Sequence, residues 1–413
     1  MKVKKVSMTV QVMIAMVLGV VVGTLSGGKI EGIKLLGDIF LRLIQMSIIL
    51  LVMGQIIEAV GSLNPKELGK QGVKIIAIFL GTSLLAASIG IFMGAIFKPG
   101  VGMDLSALTN EVKIDKSTIG SISDTVLGFF SANVIKSMAD GAIAQVIVFA
   151  ILFGVALSFV RMENENSKLF EVIVEFNKII LRMISIIMKL APIGIFALIA
   201  STIGKVGVGV ILPLSKYLGV YGLGTLMYLV VFFIFVSMYC KVNIIKLIKG
   251  MTQMSLMALA TTSSAVTLPT EMKDAREKLG ISERVTKLVL PLGMTINSNG
   301  SAMHMAFTVV TIAQIYGVTY SGGQYLYIAA LATLVSLANA VVPGAGLVSL
   351  AIVVPQMGLP IEVIALFAGV EWFVGMLRTI LNVDSDIFTA LIVAKSENGI
   401  DYDVYNNANP VVK

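Results

Sequence analysis

The 413-residue sequence has one cysteine, one histidine and few charged residues, and each shortage excludes a class of protein. Cys240 alone cannot form a disulfide within the chain, and His304 alone cannot build a multi-histidine metal site. Only 13% of the residues are charged, against roughly 25% in soluble domains, whereas 57% are hydrophobic. No Gly-rich loop ending in Lys-Ser/Thr occurs, which argues against ATP-driven chemistry. Lipid is therefore the expected solvent for most of the chain.

Long apolar runs indicate helices that cross a membrane. Runs of span length occupy residues 8–26, 39–61, 74–97, 141–160, 178–203 and 217–239. Such runs are too long for the strands of a membrane barrel, so the sequence predicts an all-α polytopic membrane protein with about eight transmembrane helices. No small-residue cleavage site follows the first run, Met8 to Leu25, which favours an uncleaved helix over a signal peptide.

Lys and Arg gather in the short polar segments between the apolar runs. They include Lys2, Lys4, Lys5, Lys66, Lys70, Lys74, Lys241, Lys246, Lys249, Lys273, Arg276, Lys278 and Arg284. The net charge of +7 therefore follows the positive-inside pattern and does not indicate a nucleic-acid partner. We expect a multi-pass protein of the inner membrane with both termini in the cytoplasm, and a polar extramembrane insertion at 99–140 on the outer side.

After Lys249 the apolar runs become short or are interrupted by small and polar residues. The interruptions are Ala260–Pro269, Thr295–Ser301, Ser336–Gly346 and Arg378–Asp386. Backbone in lipid cannot remain unpaired, so the first and third predict re-entrant helical hairpins that open from opposite sides, and the second a broken helix. The fourth places an Arg and two Asp inside an apolar helix. Each charge costs ~2.5–3.5 kcal/mol to insert into the membrane, so their presence indicates a functional site. This order is typical of inverted repeats.

These motifs resemble those of the dicarboxylate/amino acid:cation symporters, the family that includes the glutamate transporters. The family's two hairpin tips resemble Thr262-Ser-Ser-Ala-Val-Thr-Leu-Pro269 and Val341-Val-Pro-Gly-Ala-Gly346. Its Asn-Met-Asp-Gly-Thr break is similar to Asn297-Ser-Asn-Gly-Ser301, and its last helix to the segment from Gly375 to Asp386. The resemblance implies a homotrimer in the bilayer, no organic cofactor, and an elevator mechanism in which a transport domain moves against a static scaffold.

The resemblance also implies domain boundaries. Scaffold helices 1 and 2 would occupy 1–73, transport-domain helix 3 would occupy 74–97, and the insertion with scaffold helices 4 and 5 would occupy 98–217. The rest of the transport domain would be 218–395, followed by a C-terminal tail at 396–413. Within it we expect helix 6, hairpin 1 near 243–277, helix 7 near 282–316, hairpin 2 near 324–358 and helix 8 near 360–395.

Family roles carry over to individual residues of the four motifs. Arg378 would bind a substrate carboxylate through its bidentate fork. The other substrate-binding positions implied by the resemblance are Thr379, Asn382, Ser301, Ser263, Ser264, Val342, Pro343, Gly344, Ala345, Gly346 and Gly375. A first sodium site would use Asn297, Asn382 and Asp386, whose oxygens suit a hard cation. A deeper ion site would use Thr82, Ser83 and Asn299.

Several positions depart from the family pattern. Gly375 stands where family amino-acid transporters have the acid that holds the substrate's amino group, which favours substrates without an amine because a buried unpaired ammonium is costly. Asn299 and Ser298 replace the family's Asp and Met, which weakens the deeper sodium site and favours protons or fewer sodium ions as the coupling ion. Asp384 is an additional carboxylate that either carries a proton or compensates for Gly375.

The sequence thus predicts a secondary-active symporter that imports a small anionic solute, first of all a C4-dicarboxylate, coupled to H⁺ and/or Na⁺. Transport of an acidic or other amino acid, or an anion channel through the same broken helices, remains an alternative. Arg378 could instead be structural, paired with Glu371 or Asp384, while Glu371 could carry a proton or pair with a scaffold cation. His304 is either a core residue or a proton carrier. An enzyme is not expected, because the serines of the first hairpin tip have no His or Lys base in a recognised spacing.

Overall fold

The computed structural model describes residues 8–26, 31–62, 65–102, 127, 130–164, 168–206, 211–337, 345–368 and 370–407. Their α-helices, in chain order, are α1 Met8–Ser26, α2 Glu31–Gly61, α3 Pro65–Phe97, α4 Val134–Ala139, α5 Ile143–Glu163, α6 Leu169–Met188, α7 Ala191–Val206, α8 Ile211–Cys240, α9 Ile244–Thr261, α10 Ser264–Glu277, α11 Glu283–Ile296, α12 Asn299–Ile315, α13 Gly322–Ser336, α14 Ala345–Gln356, α15 Ile364–Ala368, α16 Glu371–Ser396 and α17 Tyr402–Asn407. A 3₁₀ turn, Ile361–Val363, precedes α15, and a single β-bridge joins Ile281 to Ile400. The all-α prediction is confirmed for the described residues.

Three helical segments of the described residues are long and apolar enough to cross a membrane: Gly72–Phe97, Gln145–Glu163 and Pro213–Cys240. Helices α15 and α16 pass the same test together, although they are bent by 87° relative to each other. Shorter apolar helical segments are Val17–Ser26, Ile49–Glu58, Ala191–Ser201 and Gly346–Gln356. This composition is compatible with a multi-pass membrane protein.

The helices pack as two groups. Helix α2 packs against α5, α6 and α7, and α1 lies along α7; in the second group α12 lies along α3, while α16 contacts α8, α9, α11 and α12. Contacts between the groups run through α13 with α5, α14 with α2, and α15 with α7. Glycines allow the close approach of α1 and α7, because a Cβ at Gly23 would overlap the carbonyl oxygen of Ala200.

Some helix boundaries differ from those predicted. The expected span at 178–203 is divided between α6 and α7, since Pro192, the second residue of α7, lacks an N–H and its ring would clash with the last carbonyl of α6. Helices α2 and α3 begin at Glu31 and Pro65, several residues before their apolar runs. The segment 360–395 is not one helix but the 3₁₀ turn, α15 and α16. Most of the expected insertion, 103–126 and 128–129, lies outside the described residues.

Two interruptions of helices position the candidate site. Helices α9 and α10 are separated by Thr262 and Ser263, and α11 and α12 by Asn297 and Ser298. Thr262 adopts the left-handed conformation with φ 51°, which costs a β-branched residue roughly 1–2 kcal/mol. The side chain of Ser263 caps α10 by accepting a hydrogen bond from the amide of Val266. Helix α16 packs against all four of these helices.

Candidate substrate and cation site

One face of α16 carries the site. Glu371, Gly375, Arg378, Asn382 and Asp386 follow each other at intervals of three or four residues, so they line a single side of the helix. All five are buried. This face is directed toward the break between α11 and α12 and toward the tip between α9 and α10, as the contacts below describe.

Arg378 forms a buried ion pair within α16. Its Nη1 donates a hydrogen bond to Oε1 of Glu371 at 2.9 Å, and the two residues are 8% and 9% exposed. Glu371 is the first residue of α16, where the helix dipole also favours a negative charge. The partner of Glu371 is thus Arg378 on its own helix, and the expectation of a scaffold cation is not met. Asp384 does not pair with Arg378 but accepts a hydrogen bond from Ser255 of α9 at 2.7 Å.

Two glycines bring backbone directly against this ion pair. A Cβ at Gly346 of α14 would overlap both Nη1 of Arg378 and the Glu371 carboxylate. A Cβ at Gly300 of α12 would overlap the main chain of Arg378. No larger residue fits at either position without displacement of the arginine or its helix. The guanidinium is therefore enclosed by α12 and by the start of α14.

Gly375 lies beside the guanidinium, and a Cβ added there would make only ordinary van der Waals contacts. The nearest atoms to an added Cβ there are Nη2 of Arg378 at 3.6 Å and the Thr262 side chain at 3.9 Å. Position 375 thus lies between Arg378 and the α9–α10 tip, and it can accept a Cβ without overlap. Ser263 and Ser264 follow Thr262 at that tip. The Oγ of Ser263 accepts the hydrogen bond that caps α10, and Ser264 is the first residue of α10.

The remaining predicted substrate positions lie around the same helices. Thr379 Oγ1 donates to the carbonyl oxygen of Gly375 at 2.8 Å, so its hydroxyl is bonded to its own helix. Ser301, in the first turn of α12, is 1% exposed. Ala345 begins α14. The other predicted tip residues, Val342, Pro343 and Gly344, lie outside the described residues.

A set of buried oxygens meets at the α11–α12 break. Asn297 Nδ2 donates to Oδ1 of Asp386 at 2.7 Å, and Asn382 Oδ1 accepts from the amide of Gly300 at 2.8 Å. Asn297 Oδ1 and Asp386 Oδ2 are buried, with no hydrogen-bond partner among the described residues. A Cβ at Gly293 would overlap the Asp386 carboxylate, so the α11 backbone lies directly beside it. One carboxylate with amide oxygens is a donor set that fits a hard cation such as Na⁺.

Asn299 lies two residues further along, in a different environment. Ser83 Oγ donates a short hydrogen bond to Asn299 Oδ1, and Asn299 Nδ2 donates to Tyr228 Oη at 2.8 Å. The structure thus brings Ser83 to Asn299 as predicted for the deeper site. Thr82 Oγ1 instead donates to the carbonyl of Phe79 on its own helix at 3.0 Å.

Asp384 lies away from position 375. It follows Gly375 by nine residues (384 − 375), which places it on the opposite side of α16 and about 13 Å further along the axis. Its bond to Ser255 directs it toward α9. Asp384 therefore cannot compensate for the missing carboxylate at Gly375, and of its two predicted roles only proton handling stays a prediction.

Three tyrosines of α8 lie beside the site but are not among the residues predicted from the sequence, and two of them, Tyr221 and Tyr228, bond residues of the site. Tyr217, Tyr221 and Tyr228 are fully or almost fully buried. Tyr217 Oη bonds Thr308 Oγ1 at 2.7 Å, and Tyr221 Oη donates to the carbonyl of Gly300 at 3.1 Å. Their intervals of four and seven residues place all three on one side of α8, and this helical spacing in an apolar run is the signal that could have identified them.

Comparison with known proteins gives this geometry its context. The model of the sodium:dicarboxylate symporter family matches residues 8–396. A proton/glutamate-aspartate symporter of Bacillus subtilis (strain 168) is 32% identical over 408 residues, covering 97% of each chain. A C4-dicarboxylate transport protein of Xanthomonas campestris pv. campestris (strain B100) is 31% identical over 406 residues, 95% of this chain and 89% of the relative. A proton/sodium-glutamate symport protein of B. subtilis is 30% identical over 96% of this chain and 94% of its own length. The chain belongs to the sodium:dicarboxylate symporter family.

Proposed function

We propose that this chain imports a C4-dicarboxylate by cation-coupled symport. One observation carries the proposal: a buried arginine, Arg378, shares one face of α16 with the buried oxygens around Asp386. An anion bound at the guanidinium and a cation bound at the oxygens would then lie within a few helical turns of each other. Each would stabilise the other electrostatically, which is what coupling of two solutes requires.

The chemistry around Arg378 favours a dicarboxylate. A guanidinium binds one carboxylate through a planar pair of donors, and Nη2 of Arg378 lies 3.6 Å from the place of a Cβ at Gly375. Glycine there offers no side-chain acceptor to a substrate ammonium. Leaving an ammonium without its partner in a buried site costs several kcal/mol, so succinate, malate or fumarate should bind better than an amino acid.

An acidic amino acid is the second candidate, because a specific atom could hold its amine. Oε2 of Glu371 is buried beside Arg378 and has no hydrogen-bond partner among the described residues. A substrate ammonium that reached this oxygen would regain the acceptor that Gly375 lacks. Relatives named as glutamate-aspartate symporters and as a C4-dicarboxylate transport protein are both about 30% identical to the chain, so identity does not decide between the candidates.

The architecture that we propose is that of an elevator. The spanning helices would be α1, α2, α3, α5, α6 with α7, α8, α11 with α12, and α15 with α16. Helices α9–α10 and α13–α14 would form two re-entrant hairpins in an inverted repeat. Helices α1, α2 and α5–α7 would be the scaffold of a homotrimer, and α3 with α8–α16 would be the transport domain. This division is supported by the packing, because each group makes most of its contacts within itself. The membrane would be the inner membrane, with both termini cytoplasmic.

The coupling ions would bind unequally at the two predicted sites. Sodium would bind at Asn297, Asn382 and Asp386, where two buried oxygens, Asn297 Oδ1 and Asp386 Oδ2, have no donor among the described residues. Asn299 is neutral and its amide is hydrogen-bonded at both ends, so a second sodium ion there would have to displace those bonds. We therefore propose coupling to few sodium ions, to protons, or to both.

A ligand panel on the purified full-length protein tests the substrate. Succinate, malate, fumarate, L-aspartate and L-glutamate would be titrated calorimetrically, each in sodium chloride and in choline chloride. We expect succinate to bind at least about tenfold more tightly than L-aspartate, and sodium to strengthen the binding. Gly375→Asp should reverse the preference, whereas Gly375→Ala, whose added Cβ would make only ordinary van der Waals contacts, should not. Tighter binding of L-aspartate by the wild type would favour the second candidate.

Counterflow in liposomes tests the transport mode. Vesicles loaded with unlabelled succinate should accumulate labelled external succinate transiently and saturably, because a carrier exchanges its substrate. Flux without exchange or saturation would instead indicate a channel. L-aspartate would be run in parallel, so that a wrong substrate is not mistaken for a wrong mechanism.

A further inference from the structure

Glu271 of α10 is a buried acid that has no role in the proposed binding of substrate and sodium. It lies in α10, about two turns beyond the first residue of that helix at Ser264. The residue is 1% exposed. Both of its carboxylate oxygens are buried, and neither has a hydrogen-bond partner among the described residues. This sets Glu271 apart from Asp384, which accepts a hydrogen bond from Ser255.

The charges that act most strongly on Glu271 are negative. It lies close enough to Asp386 and Asp384 of α16 for their charges to interact, with Asp386 the stronger influence, yet no hydrogen bond joins it to either. Helix α10 also packs against α9 and α11. The other titratable and charged residues of these helices are Lys246 and Lys249 of α9, Lys273, Asp274, Arg276 and Glu277 of α10, Glu283, Arg284 and Lys287 of α11, and Glu371, Arg378 and Lys395 of α16. Arg378 is paired with Glu371.

The basic residues for which contacts are given have other partners. Lys278, just after α10, pairs with Asp274 at 2.8 Å, and Lys287 pairs with Glu283 at 2.6 Å. Lys273 is 3.9 Å from Glu277, Lys246 donates to the carbonyl of Asn406, and Lys395 donates to Tyr402. Arg276, Arg284 and Lys249 are exposed, whereas Glu271 is buried. The charge of an ionised Glu271 is thus left without a compensating cation in these contacts.

An ionised carboxylate in this position would be expensive. Burying a charge without donors costs several kcal/mol, and repulsion from a second carboxylate adds to the cost. Two events relieve it: a proton on Glu271, or a cation at the oxygens of Asn297 and Asp386. Both neutralise the same group of acids, so each event reduces the need for the other.

We propose that Glu271 is a proton-binding site coupled negatively to the cation site at Asp386. With that site free of cation, Glu271 holds a proton and is neutral. When one Na⁺ enters beside Asp386, Glu271 releases one H⁺ to water and becomes a carboxylate, so the net charge of the cluster stays the same. The inference rests on the proposed cation site, and it explains how one chain could use either ion: sodium and protons would be alternative ways to neutralise one acidic cluster.

Sodium titrations of the full-length protein test this exchange. Sodium chloride would be titrated calorimetrically at several pH values, in buffers of different ionisation enthalpy so that released protons are counted. For the wild type we expect roughly one proton released per sodium ion bound at low pH, and a sodium affinity that falls by up to about tenfold per pH unit as the pH decreases. Glu271→Gln, a neutral isostere of the protonated acid, should release no proton and show a pH-independent sodium affinity.

Glu277→Gln is the matched control, since Glu277 is on the same helix but exposed. It should behave as the wild type. Two results would overturn the inference. In one, E271Q releases as many protons as the wild type; in the other, the wild type binds sodium but releases no protons. A wild type that binds neither sodium nor any ligand of the panel would overturn the proposed function instead.

A second variant covers the case in which E271Q does not yield monodisperse protein. Glu271→Asp keeps an acid but draws it back by one methylene, so the pH at which sodium affinity changes should shift. Infrared difference spectra upon sodium addition provide an independent readout, because loss of the proton from Glu271 removes the carbonyl stretch of a protonated carboxyl group. An unshifted pH midpoint in E271D, or a wild-type spectrum in which that band does not decrease, would contradict the assignment.

Discussion

Two polar sites lie only two residues apart along the break between α11 and α12, and they are built in opposite ways. In the amide site, formed by Asn299, Ser83 and Tyr228, both ends of the Asn299 amide are hydrogen-bonded by the protein. In the carboxylate site, formed by Asn297, Asn382 and Asp386, two buried oxygens have no donor among the described residues, and neither has either oxygen of the neighbouring acid Glu271. Buried polar groups are normally paired, so the unpaired oxygens are where a cation or proton is to be expected.

The difference separates stability from binding. Each bond of the amide site contributes to the fold, and its loss would leave a buried polar atom at a cost of roughly 1–3 kcal/mol. The oxygens of the carboxylate site are already unpaired, so they destabilise the folded protein until an ion neutralises them. Ligand-induced stabilisation should therefore come from the carboxylate site, whereas the amide site should set the stability of the protein without ligand.

The largest effect is expected from Asp386→Asn. This change removes the charge of the carboxylate site but keeps the shape of the side chain. We expect sodium affinity to fall by about 10²–10³-fold, the equivalent of roughly 3–4 kcal/mol, which lies within the range for removal of one member of a buried charge pair. The midpoint of thermal unfolding of the purified protein, measured across a sodium chloride series against choline chloride, should lose its sodium dependence.

Asn299→Ala is the matched control for this prediction, because it removes a neighbouring side chain of the amide site. It should lower the unfolding temperature in choline chloride while the increase caused by sodium persists. If D386N retains the sodium-induced increase, or N299A loses it, the two sites have been assigned to the wrong roles.

Asn299→Asp is expected to have an intermediate effect, since it converts the amide site into a second carboxylate site. The new carboxylate cannot donate to Tyr228 Oη as the amide does, so the hydroxyl would have to turn and donate instead, and the site gains a buried charge without a cation. In the absence of sodium we expect a loss of about 2–3 kcal/mol in the free energy of unfolding. Sodium should restore part of it, and succinate binding should depend more steeply on sodium concentration than in the wild type. An unchanged steepness would show that residue 299 does not limit cation binding.

The parts of the site that are local in sequence could be predicted from it. The α11–α12 break at Asn297 and Ser298 and the α9–α10 interruption at Thr262 and Ser263 lie where small polar residues interrupt apolar runs. The shared face of Arg378, Asn382 and Asp386 follows from helical spacing alone. These features depend only on residues near each other in the chain.

Contacts between distant segments could not be predicted in the same way. Glu271 lies among the charged residues of a polar flank, and only the packing of α10 against α16 makes it a buried acid near Asp386. Similarly, the hydroxyl of Tyr228 reaches Asn299 across 71 residues of sequence. The turn between α6 and α7 was missed for a different reason. Both flanking segments are apolar, so hydrophobicity alone does not separate them, although Pro192 is a local signal for the break.

The smallest effect is expected from Tyr228→Phe, which tests whether the amide site is structural. The change removes one hydroxyl that accepts hydrogen bonds from Asn299 Nδ2 and, at 3.3 Å, from Ser385 Oγ. Ser385 also donates to the carbonyl of Leu381 at 2.6 Å, so the net loss falls mainly on Asn299 and should be about 1 kcal/mol in the free energy of unfolding. Tyr221→Phe, which removes a single bond to the carbonyl of Gly300, is the control for loss of a buried hydroxyl in the same helix. Both variants should keep the wild-type sodium affinity in calorimetry. A weaker sodium affinity in Y228F alone would mean that the amide site also takes part in cation binding, and the separation between the two sites would not hold.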